Sequence, residues 1–552
     1  MPRLVLGPML RFVDAASATI WVQTDVACEV EVLGARAPTW CVDGLHFALV
    51  CPTGLEPGGE HPYEVRLDGV VAWPAPDSPW PPSVIRPPAP GAPTRIAFGS
   101  CRITRPHEPP HVLRSREHPD GHGVDALRAF ALRAAREGGA RLPDMVLMLG
   151  DQIYADEPSP ALRETLARRP RTADAPEGEL ADFCEYALAY AEAWDEDALR
   201  WLMSTVPCAM VFDDHEIHAE WRISAGWMAE MTAKPWFDRH ICAGLKAYWV
   251  FQHLGNLSPA ELDASELYAR VREAPDAGEL LGDVMDDAGR QHGHSRWSWA
   301  RDIGGARLVV IDSRAGRDVT PGAREMVPDR EWEWIRDQAS APARHLLLAS
   351  SVPFLLAPGL HHTEAWDEAL TDGAWGRAMA WVGERLRRVA VMDHWASFGR
   401  SHRRVVGLLA DAAHGRLGEA PSSVVMLSGD VHHCYVAEVG FPAGSGATAA
   451  VWQVVCSAFR KELAPHERVV IGFGHSRLAA RLAQALARAA GVPDPRIGWR
   501  IVDRPAYANQ ISTLTLDGER AEVAIEAVVD GSWQDPRLET VIERRLASGG
   551  GP

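Results

Sequence analysis

The 552-residue sequence predicts a small antiparallel β-sandwich followed by a larger, layered α/β or α+β domain. Three observations predict this organisation. Residues 1–92 carry short apolar runs with partial alternation, residues 74–93 are rich in proline, and the rest alternates short apolar strands with helical segments. A chain of this length is too long for one hydrophobic core, which agrees with a division into two domains.

The first predicted domain spans residues 1–92. Its strand candidates ATIWVQT, EVEVLG, HFALVCPTG and HPYEVRLDG are separated by Gly and Pro turns, as in a small sandwich. The proline density of residues 74–93 indicates a stiff, extended linker. We therefore place the domain boundary after residue 92, so that the second domain spans 93–552.

The second domain contains strands that are apolar along most of their length, which is typical of a sheet buried on both faces. The strand candidates are RIAFGSC, DMVLMLGD, CAMVFDDHE, ARLVVIDSR, HLLLASSVPF, VVMLSGDVHH and VWQVVCSAF. Helical patterns occupy residues 125–140 and 474–490, and residues 222–300 are predicted to form a helical insertion.

Composition and charge exclude several classes of function. The formal net charge is −18 and no long Lys or Arg run is present, which argues against a nucleic-acid or anionic-membrane surface. The negative net charge does not exclude a small anionic substrate, because a bound cation makes the electrostatic potential at its site positive. Nine cysteines without CxxC spacing favour a reducing compartment. No signal peptide, twin-arginine motif or transmembrane span is recognisable, so the sequence predicts a cytoplasmic protein.

Polar side chains follow five of the predicted strands at the point where each strand ends. These strand ends read Ser100-Cys101, Gly150-Asp151, Asp213-Asp214-His215, Asp312-Ser313-Arg314 and Gly429-Asp430-Val431-His432. Ligands of open α/β sheets lie outside the carboxyl ends of the strands. The repeated Asp, His and Cys at these ends therefore predict a metal centre.

The residue types indicate which metals such a centre would hold. Asp151 is the natural carboxylate to bridge two cations, and Tyr154 follows on the same turn. A phenolate and the Cys101 thiolate donate strongly and favour a trivalent ion such as Fe³⁺. The Asp carboxylates suit Ca²⁺, Mn²⁺ or Mg²⁺. Such a site could hold a phosphate group and supply a nucleophile from water at neutral pH.

Four segments resemble the signature blocks of the alkaline phosphatase D (PhoD-like) family of metallophosphatases: FGSCR (98–102), LGDQIYAD (149–156), FDDHEI (212–217) and LSGDVHH (427–433). VVIDSR and DHWASFGRSHRR fit its secondary blocks, and the resemblance covers about residues 95–470. It implies a four-layer αββα core, an immunoglobulin-like leading domain, and hydrolysis of phosphate mono- or diesters by a metal-activated hydroxide.

The resemblance also implies a set of metal ligands: Cys101, Asp151, Tyr154, Asp213, Asp214, Asp430 and His432. Cys101, Asp151 and Tyr154 would hold Fe³⁺. Asp151 would bridge to one or two divalent ions, with Ca²⁺ as the first choice and Mn²⁺ or Mg²⁺ as alternatives. The remaining residues would bind the divalent side, with Asp213 as a ligand or a supporting group.

Three further residues receive roles in the reaction. The resemblance implies that His215 protonates the leaving group or positions the phosphate. Arg102 and Arg314 are predicted to contact phosphate oxygens, because guanidinium donors pair well with them. The implied partner is a small phosphate ester, and the oligomeric state is left open.

Plainer explanations exist for single residues of this pattern. Cys101 alone would be a buried thiol, Tyr154 alone a packing residue, and Asp151 alone a helix cap. The histidine pairs His361-His362 and His292/His294 are predicted to face solvent.

Two functional alternatives stay open. A phospholipase D-like diesterase acting on lipid head groups would need an exposed apolar rim near the site. The other alternative is a non-catalytic binding protein on the same fold, which the complete set of ligand residues argues against.

Overall fold

The computed structural model describes residues 1–139, 141–290, 296–442 and 444–548. The N-terminal strands are β1 (Leu4–Val13), β2 (Ala18–Thr24), β3 (Glu29–Val32), β4 (Ala35–Pro38), β5 (Trp40–Val42), β6 (Leu45–Val50), β7 (His61–Pro62), β8 (Val65–Leu67), β9 (Val70–Trp73) and β10 (Val84–Ile85). Two four-stranded sheets, β1-β2-β6-β5 and β4-β3-β8-β9, enclose an apolar cluster around Ile20 and Val65. The predicted β-rich start is confirmed, and its immunoglobulin-like topology stays a prediction.

The strands of the larger region are β11 (Thr94–Gly99), β12 (Met145–Leu149), β13 (Cys208–Val211), β14 (Trp299–Ile303), β15 (Ala306–Ile311), β16 (His345–Ser350), β17 (Ser423–Ser428), β18 (Tyr435–Gly440), β19 (Ala450–Val455), β20 (Gly498–Ile501), β21 (Gln510–Asp517), β22 (Arg520–Val528) and β23 (Leu538–Ala547). They form a six-stranded sheet, β13-β12-β11-β21-β22-β23, and a seven-stranded sheet, β14-β15-β16-β17-β19-β18-β20. All seven strands predicted for the second domain are confirmed.

The helices are α1 (Ala126–Arg136), α2 (Pro160–Ala167), α3 (Phe183–Trp194), α4 (Asp197–Thr205), α5 (Ala225–Thr232), α6 (Phe237–Ala247), α7 (Pro259–Asp263), α8 (Glu266–Glu273), α9 (Gly278–Arg290), α10 (Asp329–Ala339), α11 (Pro358–Thr371), α12 (Arg377–Val389), α13 (Gly399–Ala413), α14 (Pro465–Gly474) and α15 (Arg477–Ala489). The predicted helices at 125–140 and 474–490 correspond to α1 and α15. In α1, Asp125 accepts from the Arg128 N–H and caps the first turn.

Alternate residues of each strand pack on opposite faces, which produces a layered core. Leu147 and Leu308 belong to the apolar cluster between the two sheets. Val146 packs outward with α1, α3 and α4, whereas Val309 packs outward with α10 and α13. The core is therefore a mixed α and β structure of two facing sheets with helices outside each.

Helices α5 to α9 occupy most of the predicted insertion at 222–300. The end of that range is already strand, because β14 begins at Trp299. The Phe251 ring, in the π-helical turn after α6, lies 5.5 Å from the Phe47 ring of β6. These helices thus pack on the N-terminal sheets.

The proline-rich segment 74–93 packs against the larger region. The Trp80 ring stacks on Trp201 of α4 at 6.1 Å, and Trp201 Nε1 donates to the Pro81 carbonyl. The division into domains after residue 92 stays a prediction.

Arg11 of β1 ties the N-terminal sheets to the larger region. Its buried guanidinium donates to the carbonyl oxygens of Cys208 (2.9 Å), Phe251 (2.6 Å) and Gln252 (2.6 Å). Burial lowers the pKa of Arg11 to about 10, so the group stays charged at neutral pH.

We expect Arg11→Ala to lower the free energy of unfolding by about 3 kcal/mol, because buried carbonyls lose their donors. Urea denaturation followed by tryptophan fluorescence measures this loss. Arg3→Ala is the matched control, since the Arg3 side chain is 82% exposed and pairs with Asp25 at the surface. Equal loss in the two variants would contradict the structural role of Arg11.

Candidate metal centre

The ends of strands from both sheets meet at one place. Strands β11, β12 and β13 are parallel neighbours, and the loops after them carry Cys101, Asp151 and Asp214. The loop after β17 brings Asp430 from the other sheet. The Cys101 N–H donates to the Gly150 carbonyl (3.2 Å), and the Asp430 N–H donates to Ser100 Oγ (2.9 Å). These bonds join loops of both sheets around a single buried site.

Four of the predicted ligands have left-handed backbone conformations: Cys101 (φ 55°), Asp151 (φ 52°), Asp430 (φ 65°) and His432 (φ 51°). Residues other than glycine adopt this region rarely. Strained backbone that the surrounding structure maintains is typical of functional sites. The three strand ends that carry these residues therefore share a conformational cost as well as a location.

Two glycines permit the close approach of these loops. A Cβ on Gly150, whose φ is 103°, would lie 2.6 Å from the Cβ of Asp213. A Cβ on Gly429 would overlap the side chain of Ser100. A larger residue at either position would push a ligand-bearing loop away from its neighbour.

The candidate ligands form two compact groups that share Asp151 and Asp214. Asp151, Asp214 and His215 make one group, and Asp151, Asp213, Asp214 and Asp430 make the other. Within each group, one ligand atom per residue lies within 4.8 Å of the others. Asp151 and Asp214 are therefore the two residues common to both candidate cation positions.

The carboxylates are crowded together with unpaired oxygens, an arrangement that a bound cation would stabilise. Asp151 Oδ1 and Asp213 Oδ2 are buried and have no hydrogen-bond partner among the described residues. Burial raises the pKa of Asp151 to about 6 and that of Asp213 well above its usual value. Unpaired oxygens in a crowded acidic group are what hard cations bind, so these residues fit a metal.

Cys101 and Tyr154 lie beside Asp151. The Tyr154 hydroxyl donates to Asp151 Oδ2 at 3.3 Å, and the Cys101 thiol lies 3.1 Å from Ser100 Oγ. Burial and the Asp151 carboxylate raise the pKa of both groups well above their usual values. Loss of either proton therefore needs a strong positive charge nearby.

His432 and Cys101 are not members of the two compact carboxylate groups. Burial lowers the pKa of His432 to about 3, so its imidazole is neutral and able to act as a ligand. The roles of Cys101, Tyr154 and His432 as ligands stay predictions.

His215 is held by a carboxylate that the sequence reasoning missed. Its Nδ1 lies 2.8 Å from Asp156 Oδ1, and its ring lies 4.3 Å from the Tyr154 ring. Burial alone would lower the pKa of His215, but the Asp156 and Asp151 carboxylates raise it to about 10. The half-buried imidazole is therefore oriented at the site edge as a cation.

Arg314 lies inside the acidic group rather than at its rim. Its guanidinium pairs with Asp213 and Asp393 and lies 3.4 Å from Asp214 Oδ1. The side chain is 1% exposed. These contacts give Arg314 a role as counter-charge for the carboxylates, and its predicted contact with phosphate stays a prediction.

Arg102 is buried on the other side of its loop. Its guanidinium donates to Asp125 Oδ2 (2.7 Å) and to the Ala193 carbonyl (2.6 Å). The structure therefore does not bring the Arg102 guanidinium together with the carboxylates by any described contact, and its phosphate contact also stays a prediction.

Comparison with protein-family models shows which family this chain belongs to. A family model described as PhoD-like phosphatase matches residues 126–509, which is more than half of the chain. The chain belongs to the PhoD-like phosphatase family. A second family model, described as Domain of unknown function (DUF7800), matches residues 1–85. Comparison with curated proteins gave no match.

The chain is similar to two solved structures. "Structure of PhoD" has a TM-score of 0.58 at 15% sequence identity, and the alignment covers 99% of this chain and 92% of that chain. This likeness shows a common fold. A purple acid phosphatase from yellow lupin (Lupinus luteus) seeds has a TM-score of 0.46 at 11% identity, with 99% and 74% of the two chains covered.

Two further residues that contact the candidate metal centre, His394 and Glu216, were not predicted. His394 Nε2 lies 3.2 Å from Asp430 Oδ2, and its Nδ1 lies 2.6 Å from Glu364 Oε1. Glu216 accepts from the backbone N–H groups of Asp151 and Asp213. His394 and Glu216 both lie within the motif blocks DHWASFGRSHRR and FDDHEI, so their position in these blocks was the available signal.

One prediction about histidine is wrong. His361 does not face solvent, because it is 2% exposed in α11 and packs on His402 and Trp499 at 4.6 and 4.7 Å. His362 is partly exposed. His292 and His294 lie outside the described residues. In the described part of the chain no helix is both long enough and apolar enough to cross a membrane.

Proposed function

We propose that this PhoD-like phosphatase hydrolyses phosphate monoesters or diesters in a metal-dependent reaction. Family membership supports metal-dependent phosphoester hydrolysis in general. Asp151 carries the proposal, because it belongs to both compact ligand groups and keeps a buried, unpaired oxygen.

Cys101, Asp151 and Tyr154 would hold Fe³⁺, and Asp213, Asp214, Asp430 and His432 would hold the divalent side with Asp151. Ca²⁺ is the proposed divalent ion, with Mn²⁺ or Mg²⁺ as alternatives. When bound, these cations supply a nucleophile from water at neutral pH and neutralise charge on the phosphate.

The side chain of His215 moves the proton in this proposal. Asp156 binds Nδ1 and leaves Nε2 as the free donor of the ring. The Asp156 carboxylate fixes this tautomer and stabilises the imidazolium, so His215 donates a proton to the departing oxygen. Lys461 adds positive charge at the same edge, with Nζ 4.3 Å from the Tyr154 ring centroid.

The proposal is tested by metal analysis combined with assays on p-nitrophenyl phosphate and bis-p-nitrophenyl phosphate. We expect about one iron per chain and a visible charge-transfer band from phenolate or thiolate. Chelation should abolish hydrolysis, and re-addition of metal should restore it. Purified protein that binds metal but hydrolyses neither ester would contradict the proposal and favour the non-catalytic alternative.

We expect His215→Ala to lower the rate of ester hydrolysis about a hundredfold while the metal content is unchanged, since a positioned acid contributes on the order of 10²–10⁴. Steady-state rates and elemental analysis of the same sample measure this. The loss should be smaller for 4-nitrophenolate esters than for alkyl esters, because a good leaving group needs less protonation. His253→Ala, at a half-buried histidine of the insertion helices, is the control.

One observation supports the phospholipase D-like alternative. Helices α14 and α15, which follow the loop carrying Lys461, expose large apolar side chains such as Phe473 and Leu478. Comparing hydrolysis of phospholipid vesicles with hydrolysis of the soluble esters distinguishes the two substrate classes. A rate only on vesicles would favour the lipid diesterase.

A further inference from the structure

Helices α14 and α15 form a hairpin with an unusual surface. Its large apolar residues are mostly in solvent: Val469 (73% exposed), Val470 (62%), Phe473 (57%), Leu478 (60%), Leu482 (54%) and Leu486 (42%). The three leucines are spaced four residues apart and so lie along one face of α15. We call these six residues the hairpin apolar surface.

The packing of α15 fixes this orientation. Its buried residues are Ala479, Ala483 and Ala487. A Cβ on Gly359 of α11 would lie 2.4 Å from the Gly474 carbonyl oxygen of α14 and 3.0 Å from the Ala479 Cβ of α15, so the hairpin packs closely on α11. A surface helix normally buries its larger apolar residues. Here the small residues face the protein and the leucines face outward. The apolar face of this helix is therefore available to a partner outside the chain.

Basic residues run beside the leucines. Arg477, Arg481 and Arg488 recur at spacings of four and seven residues, and α15 contains no acidic residue. Arg488 pairs with Asp494 at 2.7 Å. Trp375 continues the surface, since its Nε1 donates to the Ala489 carbonyl at the end of α15 while its side chain is 38% exposed.

We propose that the hairpin apolar surface docks on a lipid bilayer that contains anionic lipids. A leucine row flanked by arginines, with tryptophan at its end, is the pattern of a helix that lies in the membrane interface. The formal charge of −18 argues against an anionic-membrane surface for the chain as a whole, but not for this helix, because the contact is made by basic residues and screening limits the reach of the remaining charge.

A second copy of the chain is the less favourable occupant. A two-fold symmetric contact would bring the same surface of each copy together. The arginine row of α15 would then face its own equivalent, without acidic residues on α15 to pair with it. Anionic lipid head groups supply the opposite charge for Arg477 and Arg481, whereas Arg488 already pairs with Asp494.

The surface lies close to the predicted metal ligands. His475, in the turn between α14 and α15, packs on His433 and Tyr435 with ring centroids 5.8 Å apart in each case. His433 directly follows His432. Docking of the hairpin would therefore place the metal centre near the bilayer surface, whatever ester it hydrolyses.

Co-sedimentation with sucrose-loaded vesicles tests the inference without turnover. The probes are phosphatidylcholine vesicles and vesicles that also contain phosphatidylglycerol. We expect the full chain to bind the anionic vesicles, and Arg477→Gln with Arg481→Gln to weaken binding on the order of tenfold. The triple variant Leu478→Gln, Leu482→Gln and Leu486→Gln should lose binding, because the inserted apolar area is removed.

Controls separate docking from folding and from catalysis. Glutamine keeps a high helix propensity, so α15 should persist, as circular dichroism will show. Val26→Gln with Leu33→Gln alters comparably exposed apolar residues (48% and 44%) in connections between the N-terminal strands and should bind like the parent chain. Hydrolysis of soluble esters by the variants reports separately on the proposed function.

Three results would overturn the inference. The first is absence of binding of the parent chain to anionic vesicles. The second is equal binding by the leucine variant and the parent chain. The third is a dimer in light scattering that the leucine variant converts to a monomer, with no vesicle binding, which would assign the surface to a second copy.

Discussion

Asp151→Asn is expected to remove metal and to lower ester hydrolysis at least about a thousandfold. Asp151 belongs to both compact ligand groups, so its loss affects every proposed cation position at once. Asparagine keeps the size of the side chain but offers one neutral oxygen instead of a shared carboxylate. Elemental analysis and steady-state assays of the same preparation measure both effects.

The fold should survive this change, which makes the result specific to the metal. Burial raises the pKa of Asp151 to about 6, so the charged carboxylate is costly without a cation. We therefore expect the metal-free variant to be at least as stable as the metal-free parent chain. Normal metal content with normal activity in Asp151→Asn would contradict the proposed site.

Asp156→Asn is the matched control, because Asp156 contacts His215 but is itself a member of neither ligand group. It should retain metal and lose rate, since the imidazolium loses its partner and its orientation. Together, Asp151→Asn and Asp156→Asn separate the role of cation binding from the role of proton transfer by His215. Equal metal loss in both variants would assign Asp156 to the metal centre.

The sequence predicted the carboxylates of the site because strand ends are visible in it. Strands such as β12 and β17 are continuous apolar runs, and the residue that follows each run must lie at the sheet edge. The amino-acid pattern alone therefore places Asp151 and Asp430 at that edge. Asp151 does not cap a helix, since the next helix, α2, begins at Pro160 with Ser159 as its cap.

Residues that reach the site from outside the strand ends could not be placed in this way. Glu364 belongs to α11, a helix whose buried face is largely polar and includes His361 and Asp367. No apolar period marks that face, so the pattern predicts a loop there and a solvent-facing His361. His394 depends on Glu364 for its orientation, and only the assembled fold brings them together.

Arginine is ambiguous in the sequence for a similar reason. A guanidinium near a phosphate site pairs equally well with phosphate or with carboxylate oxygens. Which of the two the guanidinium contacts depends on which loop packs against it in the folded chain. Arg314 is enclosed by Asp213 and Asp393, and Arg102 by Asp125, which no spacing in the sequence indicates.

Arg314→Met is expected to lower the free energy of unfolding of the metal-free chain by about 3–5 kcal/mol, because it leaves buried carboxylates without their counter-charge. Methionine fills much of the same volume, so the loss reports on charge. Bound cations neutralise part of the negative charge that Asp213 and Asp214 carry once the arginine is removed. The loss should therefore shrink when metal is restored, as urea denaturation with and without added metal will measure.

Arg387→Met is the matched control for this experiment. Arg387 and Asp367 form a fully buried pair at 2.9 Å between α12 and α11, outside the carboxylate groups. Its replacement should destabilise the chain equally with and without metal. If Arg314→Met behaved in the same way, the Arg314 guanidinium would be an ordinary structural partner. A metal-dependent difference would instead show that Arg314 and the cations balance the same carboxylates, so that the acidic site can fold before it is loaded.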